Sequence, residues 1–338
     1  MINSRISYSA ITAKVRTMYG RRLTDDDWHT LDSMTSVAQV GKFLTAHPGW
    51  REAMESLKSG ILHRGELEWA LRQHLISDYI KLYKFASLDD KQFLLFAAHK
   101  AEYEMILQTL RRLMSGDTVK QAIITHEFLV KKSKVSFDAL VTAENWRDIL
   151  AAVRDSMFYE PLLTVNLSLD TGLPDYTAVS VLLQGTYYAA QNRFAAKKYK
   201  GDIRKLFLSA LGQEIDLLNL VQVMRLKRYF PDSPQAFETM LFPVHYRLRP
   251  AFFKEIDAAP SYEAAFGLIQ NTVYGKFFSE HDFAFIDQYY GLKIYDFNRK
   301  QILSGGGSPY ISTAYLALKE SEMRRLFGVI EKAHYRHT

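Results

Sequence analysis

One ten-residue pattern, which occurs three times, constrains the fold of this chain more than any other feature of its sequence. Each copy opens with an acidic residue and has apolar residues at its fifth and ninth positions. Because positions four residues apart lie on one face of an α-helix, the pattern predicts three amphipathic helices, each with an acid at one end of its apolar stripe. The copies read EYEMILQTLR at 102–111, DLLNLVQVMR at 216–225 and EMRRLFGVIE at 322–331.

Two further landmarks precede each copy in a constant order. The first is a short segment that begins with Ser or Asn and ends on an aromatic residue. Ser and Asn begin helices well because their side-chain oxygens accept the free N–H groups of the first turn. The second is a longer, aromatic-rich segment with helical spacing. The short segments are 36–50, 145–159 and 261–274, and the aromatic-rich segments are 66–85, 176–195 and 282–297.

The constant order of the three landmarks indicates that the chain is built from three homologous helical units. The copies of the acidic pattern begin 114 and 106 residues apart, so each unit occupies about a third of the chain. We place the units at 1–120, 121–232 and 233–338, with an additional N-terminal helix in the first.

The distribution of proline and the absence of strand patterns predict an all-α fold. All nine prolines lie at the ends of predicted helices or between them, as expected for a residue without a backbone donor. No sustained alternation of period two bounded by turns is present, so no sheet is expected. Antiparallel helices should pack in small bundles. Breaks are predicted at 168–174, 229–237 and 304–309, the last being a flexible glycine-rich joint.

Composition excludes several classes of protein. Hydrophobic residues make up 48% and charged residues 24% of the chain, as in soluble globular proteins. The chain has no cysteine, which excludes disulfides and thiolate metal sites. No stretch approaches the roughly 18 uninterrupted apolar residues of a membrane-spanning helix, so no span is predicted.

The net charge of +6 is small for this length, and the basic residues occur in short groups. One group places Lys197, Lys198 and Lys200 around Tyr199. Such a group can face nucleic acid, anionic lipid or an acidic protein, although a solvated surface is the commoner explanation. Because the sequence shows no recognised nucleic-acid-binding module, we predict no nucleic-acid partner and treat the three lysines as a candidate interface cluster.

The sequence lacks motifs that would indicate its own catalysis. It contains no GxxxxGK[ST] phosphate loop, and the glycines at 305–307 are not followed by a lysine. The His126–Glu127 pair has no second histidine at the spacing of a zinc protease. We therefore predict no catalytic, cofactor-binding or metal-ligating residues. The histidines on predicted helices are interpreted as structural; they are His63, His74 and His99.

Three segments resemble the C subunit of the bacterial and archaeal V/A-type rotary ATPases, whose eukaryotic counterpart is the d subunit of the vacuolar ATPase. They are 8–24, 214–225 and 314–335, and the resemblance extends over essentially the whole length with the same three-part division. Its most specific parts are an Asp-x-x-Asn-Leu motif and a Lys-Glu-x-Glu motif. The motif residues are Asp216, Asn219, Leu220, Lys319, Glu320 and Glu322.

The resemblance implies a funnel of three similar helical domains around a pseudo-threefold axis. The protein would lie peripherally on the cytoplasmic face of the membrane proteolipid ring, with the rotor shaft, which the D and F subunits form, inserted into the funnel. It would transmit torque between shaft and ring without an active site, cofactor or small-molecule substrate of its own. The alternative is a helical-repeat scaffold that binds peptide or RNA, although solenoid repeats are shorter than these units.

The acid that opens each repeated helix needs hydrogen-bond partners if it is buried, because an unpaired buried carboxylate is very costly. We predict that Glu102, Asp216 and Glu322 accept hydrogen bonds from backbone N–H groups or from an Arg or Tyr side chain, and that they fix the register between helices. The alternative is an exposed acid with a partner four residues away, which would contribute little. Where the related family has Asn before the Leu, this chain has Met105 in the first copy and Arg325 in the third.

Overall fold

The computed structural model of the chain describes residues 8–55, 57, 62–117, 126–229, 240–275, 286–305 and 307–335. Regular structure within these ranges is helical, apart from an isolated β-bridge between Leu167 and Pro174. The predicted all-α fold class is therefore confirmed. The break predicted at 229–237 begins where a helix ends, at Tyr229, and its other residues lie outside the described ranges.

The chain divides into two compact units. The first consists of Met1–Lys91 with Tyr295–Thr338, and the second of Gln92–Ile294. The helices, in chain order, are α1 (Ser9–Tyr19), α2 (Asp25–Asp32), α3 (Val37–Ala46), α4 (Arg51–Met54), α5 (Arg64–Phe85), α6 (Leu88–Leu94), α7 (Phe96–Ser115), α8 (Glu127–Val130), α9 (Phe137–Thr142), α10 (Trp146–Ala152), α11 (Tyr159–Leu162), α12 (Tyr176–Lys198), α13 (Gly201–Tyr229), α14 (Pro250–Ala258), α15 (Tyr262–Gln270), α16 (Ile286–Ser304) and α17 (Tyr310–Tyr335).

The first unit is organised around its last helix, α17. This helix packs against α1, α3 and α5, and α4 packs against both α3 and α5. Apolar residues of α2, α3, α5 and α17 form one core, which includes the fully buried Leu31, Leu44 and Trp50. Residues from both ends of the sequence therefore share a single core.

The second unit is organised around α12, which packs against both α7 and α13. Aromatic rings fill much of the space beside it. The rings of Phe93 and Phe207 are 4.6 Å apart, and those of Tyr103 and Tyr187 are 5.3 Å apart. Both pairs meet edge to face, an arrangement that aromatic quadrupoles favour. The aromatic-rich segment predicted at 176–195 thus contributes its rings to the core of this unit.

A long helix packed against a pair of short helices occurs three times. The long helices are α7, α13 and α17, and the respective pairs are α9–α10, α14–α15 and α2–α3. Along the chain, the second helix of each pair lies in a predicted short segment and precedes a long helix, in the predicted order. Two of the long helices nevertheless pack against the pair that follows them, and α17 packs against the pair nearest the N-terminus. The boundaries 1–120, 121–232 and 233–338 stay a prediction.

The three short segments begin their helices at the predicted Ser and Asn residues. The side-chain oxygens of Ser36, Asn145 and Ser261 accept a hydrogen bond from the backbone N–H three residues later, at 3.1–3.3 Å. Thr24 begins α2 in the same way, in a reciprocal capping box with Asp27. These starts are predictable because cap and N–H group lie within one helical turn.

Among the described residues, α13 is the one helix long and apolar enough to cross a membrane by length and composition. The apolar window of this helix is 61% buried within the structure. Leu217, Leu220 and Val223 of α13 lie in the core that the helix forms with α14 and α15. Packing inside the second unit accounts for the apolar composition of α13.

The glycine-rich joint predicted at 304–309 is hydrogen bonded to α1. Arg16 donates from Nε to the carbonyl of Ile302 at 2.9 Å and from Nη2 to the carbonyl of Gly305 at 3.2 Å. The last carbonyls of a helix have no partner within the helix, and a cation is favourable beside them. Arg16 therefore supports the end of α16, and residue 306 lies outside the described ranges.

Candidate functional site

The repeated acids Glu102, Asp216 and Glu322, here called the anchor acids, lie at the three contacts between a long helix and its short pair. Glu102 and Asp216 are fully buried, and the side chain of Glu322 is 11% exposed. Each accepts a hydrogen bond from at least one backbone N–H group in the segment that leads into the short pair. The donors expected from the sequence are therefore present.

Asp216 receives the most extensive set of donors. Its carboxylate accepts from the backbone N–H groups of residues 246–248 at 2.7–3.1 Å, and from the hydroxyl of Tyr274 at 2.9 Å. Burial raises the pKa of Tyr274, and the adjacent carboxylate raises it further, so the hydroxyl keeps the proton that it donates. Four donors replace the water that this carboxylate loses on burial.

Asn219, one turn after Asp216, binds the start of the same segment. Its Oδ1 accepts from the backbone N–H of Phe242 at 2.9 Å, while the neighbouring Leu220 is fully buried in the core. Two glycines leave room for the segment on the helices. A Cβ at Gly212 would lie 2.3 Å from Tyr246, and one at Gly185 would lie 2.9 Å from Pro243. The Asp-x-x-Asn motif thus fixes residues 242–248 against α12 and α13.

Glu102 has a different set of donors. It accepts from the backbone N–H of Lys134 at 2.9 Å, from the Ser133 hydroxyl at 2.7 Å and from His99 Nδ1 at 2.8 Å. Because a carboxylate only accepts, the proton of His99 in this contact lies on Nδ1. This anchor connects α7 to the segment that enters α9.

Glu322 connects α17 to two segments near the N-terminus. It accepts from the backbone N–H of Leu23 at 3.0 Å and from Trp50 Nε1 at 2.8 Å. Lys319, one turn earlier, forms an ion pair with it at 3.0 Å. The Lys319 ammonium is also 3.4 Å from the centroid of the Trp50 ring, where a cation is attracted to the aromatic face.

Lys319 is 6% exposed, and burial lowers the pKa of its ammonium group, an effect that Glu322 opposes. Lys319 also donates to the carbonyl of Gly49 at 3.1 Å. His74 contacts the same carbonyl at 3.1 Å. The Lys-Glu-x-Glu motif is therefore part of a buried polar network around Gly49, and its middle residue Glu320 instead pairs with Arg324 near the surface.

This network continues along α5. The hydroxyl of Tyr315 donates to Asp78 at 2.6 Å, and Lys81 bridges Asp78 at 3.3 Å and Glu52 at 2.6 Å. Burial and the Asp78 carboxylate both raise the pKa of Tyr315. The network contains residue types that are common in active sites, but in these contacts the charged atoms face other protein groups.

The predicted basic cluster exposes its three lysines but not the tyrosine that lies among them in the sequence. Lys197, Lys198 and Lys200 are exposed, whereas Tyr199 is 7% exposed and its ring stacks on that of Phe207 at 4.3 Å. The aromatic ring in this sequence therefore belongs to the core and does not accompany the lysines at the surface. An interface role for the lysines stays a prediction.

At the positions corresponding to Asn219, the other two copies have apolar or aromatic contacts. Met105 is 6% exposed in the core of the second unit. The guanidinium of Arg325 lies 3.9 Å from the ring centroid of Trp28 and 3.6 Å from Asp32. The amide function of Asn219 is thus particular to the middle copy.

Sequence patterns did not identify Gly49 or the residues that supply the backbone donors. Trp50 and Tyr274 were visible as the aromatic ends of the short segments, and both donate to an anchor acid. Every residue except proline has a backbone N–H group, so side-chain identity does not indicate which residues donate to an acid. The sequence therefore could not single out residues 246–248 as the donors to Asp216. Among the described residues, no group of three or more His, Asp or Glu side chains has the arrangement of a metal site.

Comparison with known proteins assigns the chain to a family. A family model described as the ATP synthase (C/AC39) subunit matches residues 11–337. A search of curated proteins finds no match. The matched range includes the three anchor acids, both sequence motifs and nearly the whole of both units.

Proposed function

Because the chain belongs to the ATP synthase (C/AC39) subunit family, that of the C subunit of V/A-type ATPases and of its counterpart, the d subunit, we propose that it is the central-stalk adaptor of such a complex. In this role it seats the rotor shaft, formed by the D and F subunits, on the membrane proteolipid ring and transmits torque between them. It lies peripherally, on the cytoplasmic face of the membrane. Family membership itself establishes the coarser statement, that the chain is a subunit of a membrane-associated ATPase complex.

The observation that carries the proposal is the set of three buried anchor acids. Each ties a long helix to backbone N–H groups of the segment that enters a short pair, at 2.9 Å for Lys134, 2.7–3.1 Å for residues 246–248 and 3.0 Å for Leu23. A part that transmits torque must resist sliding between its helices. Buried charge-assisted hydrogen bonds are short and directional, and they oppose such sliding more than apolar contacts alone.

The same bonds support a non-catalytic role. A carboxylate that acts as a general base or nucleophile must reach a substrate. Glu102, Asp216 and Glu322 instead accept from protein donors at 2.7–3.1 Å, and Lys319 is held between Glu322 and the Gly49 carbonyl. These ionisable groups contribute to the structure, and ATP chemistry is assigned to other subunits.

The three-part funnel is part of the proposal. It is supported by the threefold recurrence of a long helix with a short pair and an anchor acid. We place three similar domains, 1–120, 121–232 and 233–338, around a pseudo-threefold axis, with the shaft in the opening. The burial of most of the apolar window of α13 favours a peripheral position over a membrane-spanning one.

Co-purification from detergent-solubilised membranes tests the assignment. The tagged chain, isolated from its own cells without nuclease treatment, should bring with it the catalytic A and B subunits, the D and F subunits and the proteolipid. Isolation with bound peptide or RNA, and without ATPase subunits, would instead support the scaffold alternative.

A second experiment tests the role in coupling. Membranes that lack the chain should lose ATP-driven ion transport, while ATP hydrolysis by the detached catalytic part continues. Adding back the wild-type chain should restore transport. Restoration of transport in its absence by the other subunits alone would contradict the adaptor function.

The lysine cluster is proposed to contact an acidic surface of the complex. Replacing Lys197, Lys198 and Lys200 with Glu should weaken assembly, most at low salt, because charge attraction is screened at higher ionic strength. The matched control changes Lys131 and Lys132, which are also exposed in the second unit, to Glu. Equal assembly of the two variants would exclude a specific contact at the cluster.

A further inference from the structure

A sharp turn at residues 47–50, of sequence HPGW and here called the Gly49 turn, joins α3 to α4 in the first unit. The backbone of Gly49 is bound on both sides. Its N–H donates to Nδ1 of His47 at 3.2 Å, and its carbonyl accepts from His74 Nε2 and Lys319 Nζ, each at 3.1 Å. Two histidines, one just after the end of α3 and one on α5, thus bind the two backbone polar groups of a single residue.

The protonation states of the two histidines follow from their partners. Nδ1 of His47 accepts a hydrogen bond, so it carries no proton, and the ring is neutral. Nε2 of His74 faces a carbonyl, so it carries the proton of that ring. The turn as observed therefore requires His47 in one neutral tautomer and is compatible with a neutral His74.

Gly49 packs closely against the backbone of Arg21. A Cβ at this position would lie 2.0 Å from the carbonyl oxygen of Arg21. The next residue, Trp50, donates to Glu322, which also accepts from Leu23. The Gly49 turn is thus where the segment before α2, the end of α3, and the helices α5 and α17 are joined by hydrogen bonds.

Charged groups from every neighbouring element face the two rings. His47 faces Asp27 of α2, with Nε2 3.6 Å from a carboxylate oxygen, and also Lys319 and Glu322 of α17. Around His74 the groups are Asp78 and Lys81 of its own helix, Glu52 of α4 and Lys319 of α17. The Asp78 carboxylate also accepts hydrogen bonds from Tyr315 and Lys81, so His74 is one of several groups that interact with its negative charge.

We propose that the Gly49 turn is an acid-sensitive latch, in which protonation of His47 and His74 releases α17 from the N-terminal helices α2 and α3. A proton on Nδ1 of His47 would remove the acceptor of the Gly49 N–H and oppose one donor with another. A proton on His74 would place a second cation beside Lys319. This inference goes beyond the proposed function and does not depend on it.

The direction of the titration agrees with this geometry. Burial lowers the pKa of both His47 and His74 below the ordinary value of 6.5, in spite of Asp27 and Asp78, respectively. The unfolded chain therefore binds protons more readily than the folded one as the pH falls below 6.5. The stability that the turn contributes is fully present above that pH and declines as the pH decreases toward the folded-state pKa values.

Hydrogen exchange of the full-length protein between pH 8 and pH 5, corrected for intrinsic rates, tests the latch. Protection of amides in α2, α3 and α17 should decrease below pH 6.5, by up to about tenfold per pH unit for each proton taken up. The informative variant is His47→Asn with His74→Gln. Asn Oδ1 can accept the Gly49 N–H and Gln Nε2 can donate to its carbonyl, while neither titrates.

The double variant should retain the protection of wild type at pH 8 and lose the decrease at lower pH. His29→Asn is the matched control, because His29 is exposed on α2, and it should keep the acid response of wild type. An acid response in the double variant equal to that of wild type would overturn the latch.

A histidine-labelled NMR titration of the unmodified protein provides a second test, independent of folding of the variant. A pKa for His47 at or above 6.5 would overturn the proposal, and one below it would support the proposal.

Discussion

At the residue scale, Asp216 shows how this helical protein accommodates a buried charge. Four hydrogen bonds, three of them from consecutive backbone N–H groups, take the place of its hydration shell. The segment that supplies them is irregular, so its N–H groups also lack partners from regular structure. The carboxylate and the segment therefore satisfy each other, and each would be costly to bury alone.

Asp216→Asn should lower the free energy of unfolding of the second unit by about 1–3 kcal/mol. The amide NH₂ would face backbone N–H groups, so donors would oppose donors. Hydrogen exchange of the core amides of α13 and α14 measures the loss. Glu320→Gln, which changes the partly exposed acid in the middle of the Lys-Glu-x-Glu motif, serves as control and should change stability by at most about 0.5 kcal/mol. Equal, small effects of both changes would mean that the Asp216 bonds contribute little.

At the same scale, Gly212 lies close to the Tyr246 side chain, so a larger residue at position 212 should destabilise the second unit. Gly212→Ala would place a methyl group 2.3 Å from Tyr246, whose backbone N–H is bonded to Asp216. The displacement should cost about 1–3 kcal/mol, as overpacking of a close contact does. Gly267→Ala on α15, where nothing lies within 4 Å, should instead stabilise by about 0.5–1 kcal/mol. Chemical denaturation of both variants would show the opposite signs, and stabilisation by both would contradict the contact.

At the scale of elements, local interactions determine where the short helices begin, and interactions between distant residues determine how these helices pack. Caps at Ser36, Asn145 and Ser261 set where the short helices begin, through bonds within one turn. The orientation of each short pair on its long helix depends instead on an anchor acid and on the apolar contacts around it. A helix of 7–10 residues, such as α3, α10 or α15, is too short to be stable alone.

Ser36→Ala should destabilise α3 by about 1 kcal/mol, because the Gln39 N–H loses its acceptor. The decrease should appear as lower protection of the first-turn amides of α3 and as a lower Tm. Ser36→Asp offers the matched control, since an aspartate can cap the same N–H group and should retain the stability of wild type. If the Ala and Asp variants behave alike, the cap is not the source of stability.

At the scale of the whole molecule, the first unit depends on contacts between the two ends of the sequence. Leu23 and Glu322 are 299 positions apart yet share a hydrogen bond, and α17 completes the core of α2 and α3. Formation of this unit therefore requires closure of a very long loop, which is typical of slow steps in folding. The N-terminal helices can reach their native packing only after the last helix has been synthesised.

Removal of residues 310–338 should therefore unfold the remaining helices of the first unit. Trp28, Leu31, Leu44 and their neighbours would lose the apolar face of α17, and α2 and α3 are too short to persist alone. Hydrogen exchange by mass spectrometry should show loss of protection over α2–α5. Protection should be retained over α12, which packs against α7 and α13, and over α13, whose core with α14 and α15 consists of second-unit residues. Persistent protection of α2 and α3 in the shortened chain would contradict this dependence.

Most of the secondary structure and three helix starts followed from the sequence, because spacing along a helix and caps are local properties, whereas the sequence left open whether the anchor acids are buried or exposed. The resemblance carried by the Asp216 and Lys319 motifs also led to the correct family. Only the tertiary structure decided that α17 packs against α2 and α3, that Tyr199 is buried, and that Gly49 is bound by two histidines. These features depend on contacts between residues far apart in the chain, and on backbone N–H and carbonyl groups that every sequence contains. Residue types alone therefore could not select them.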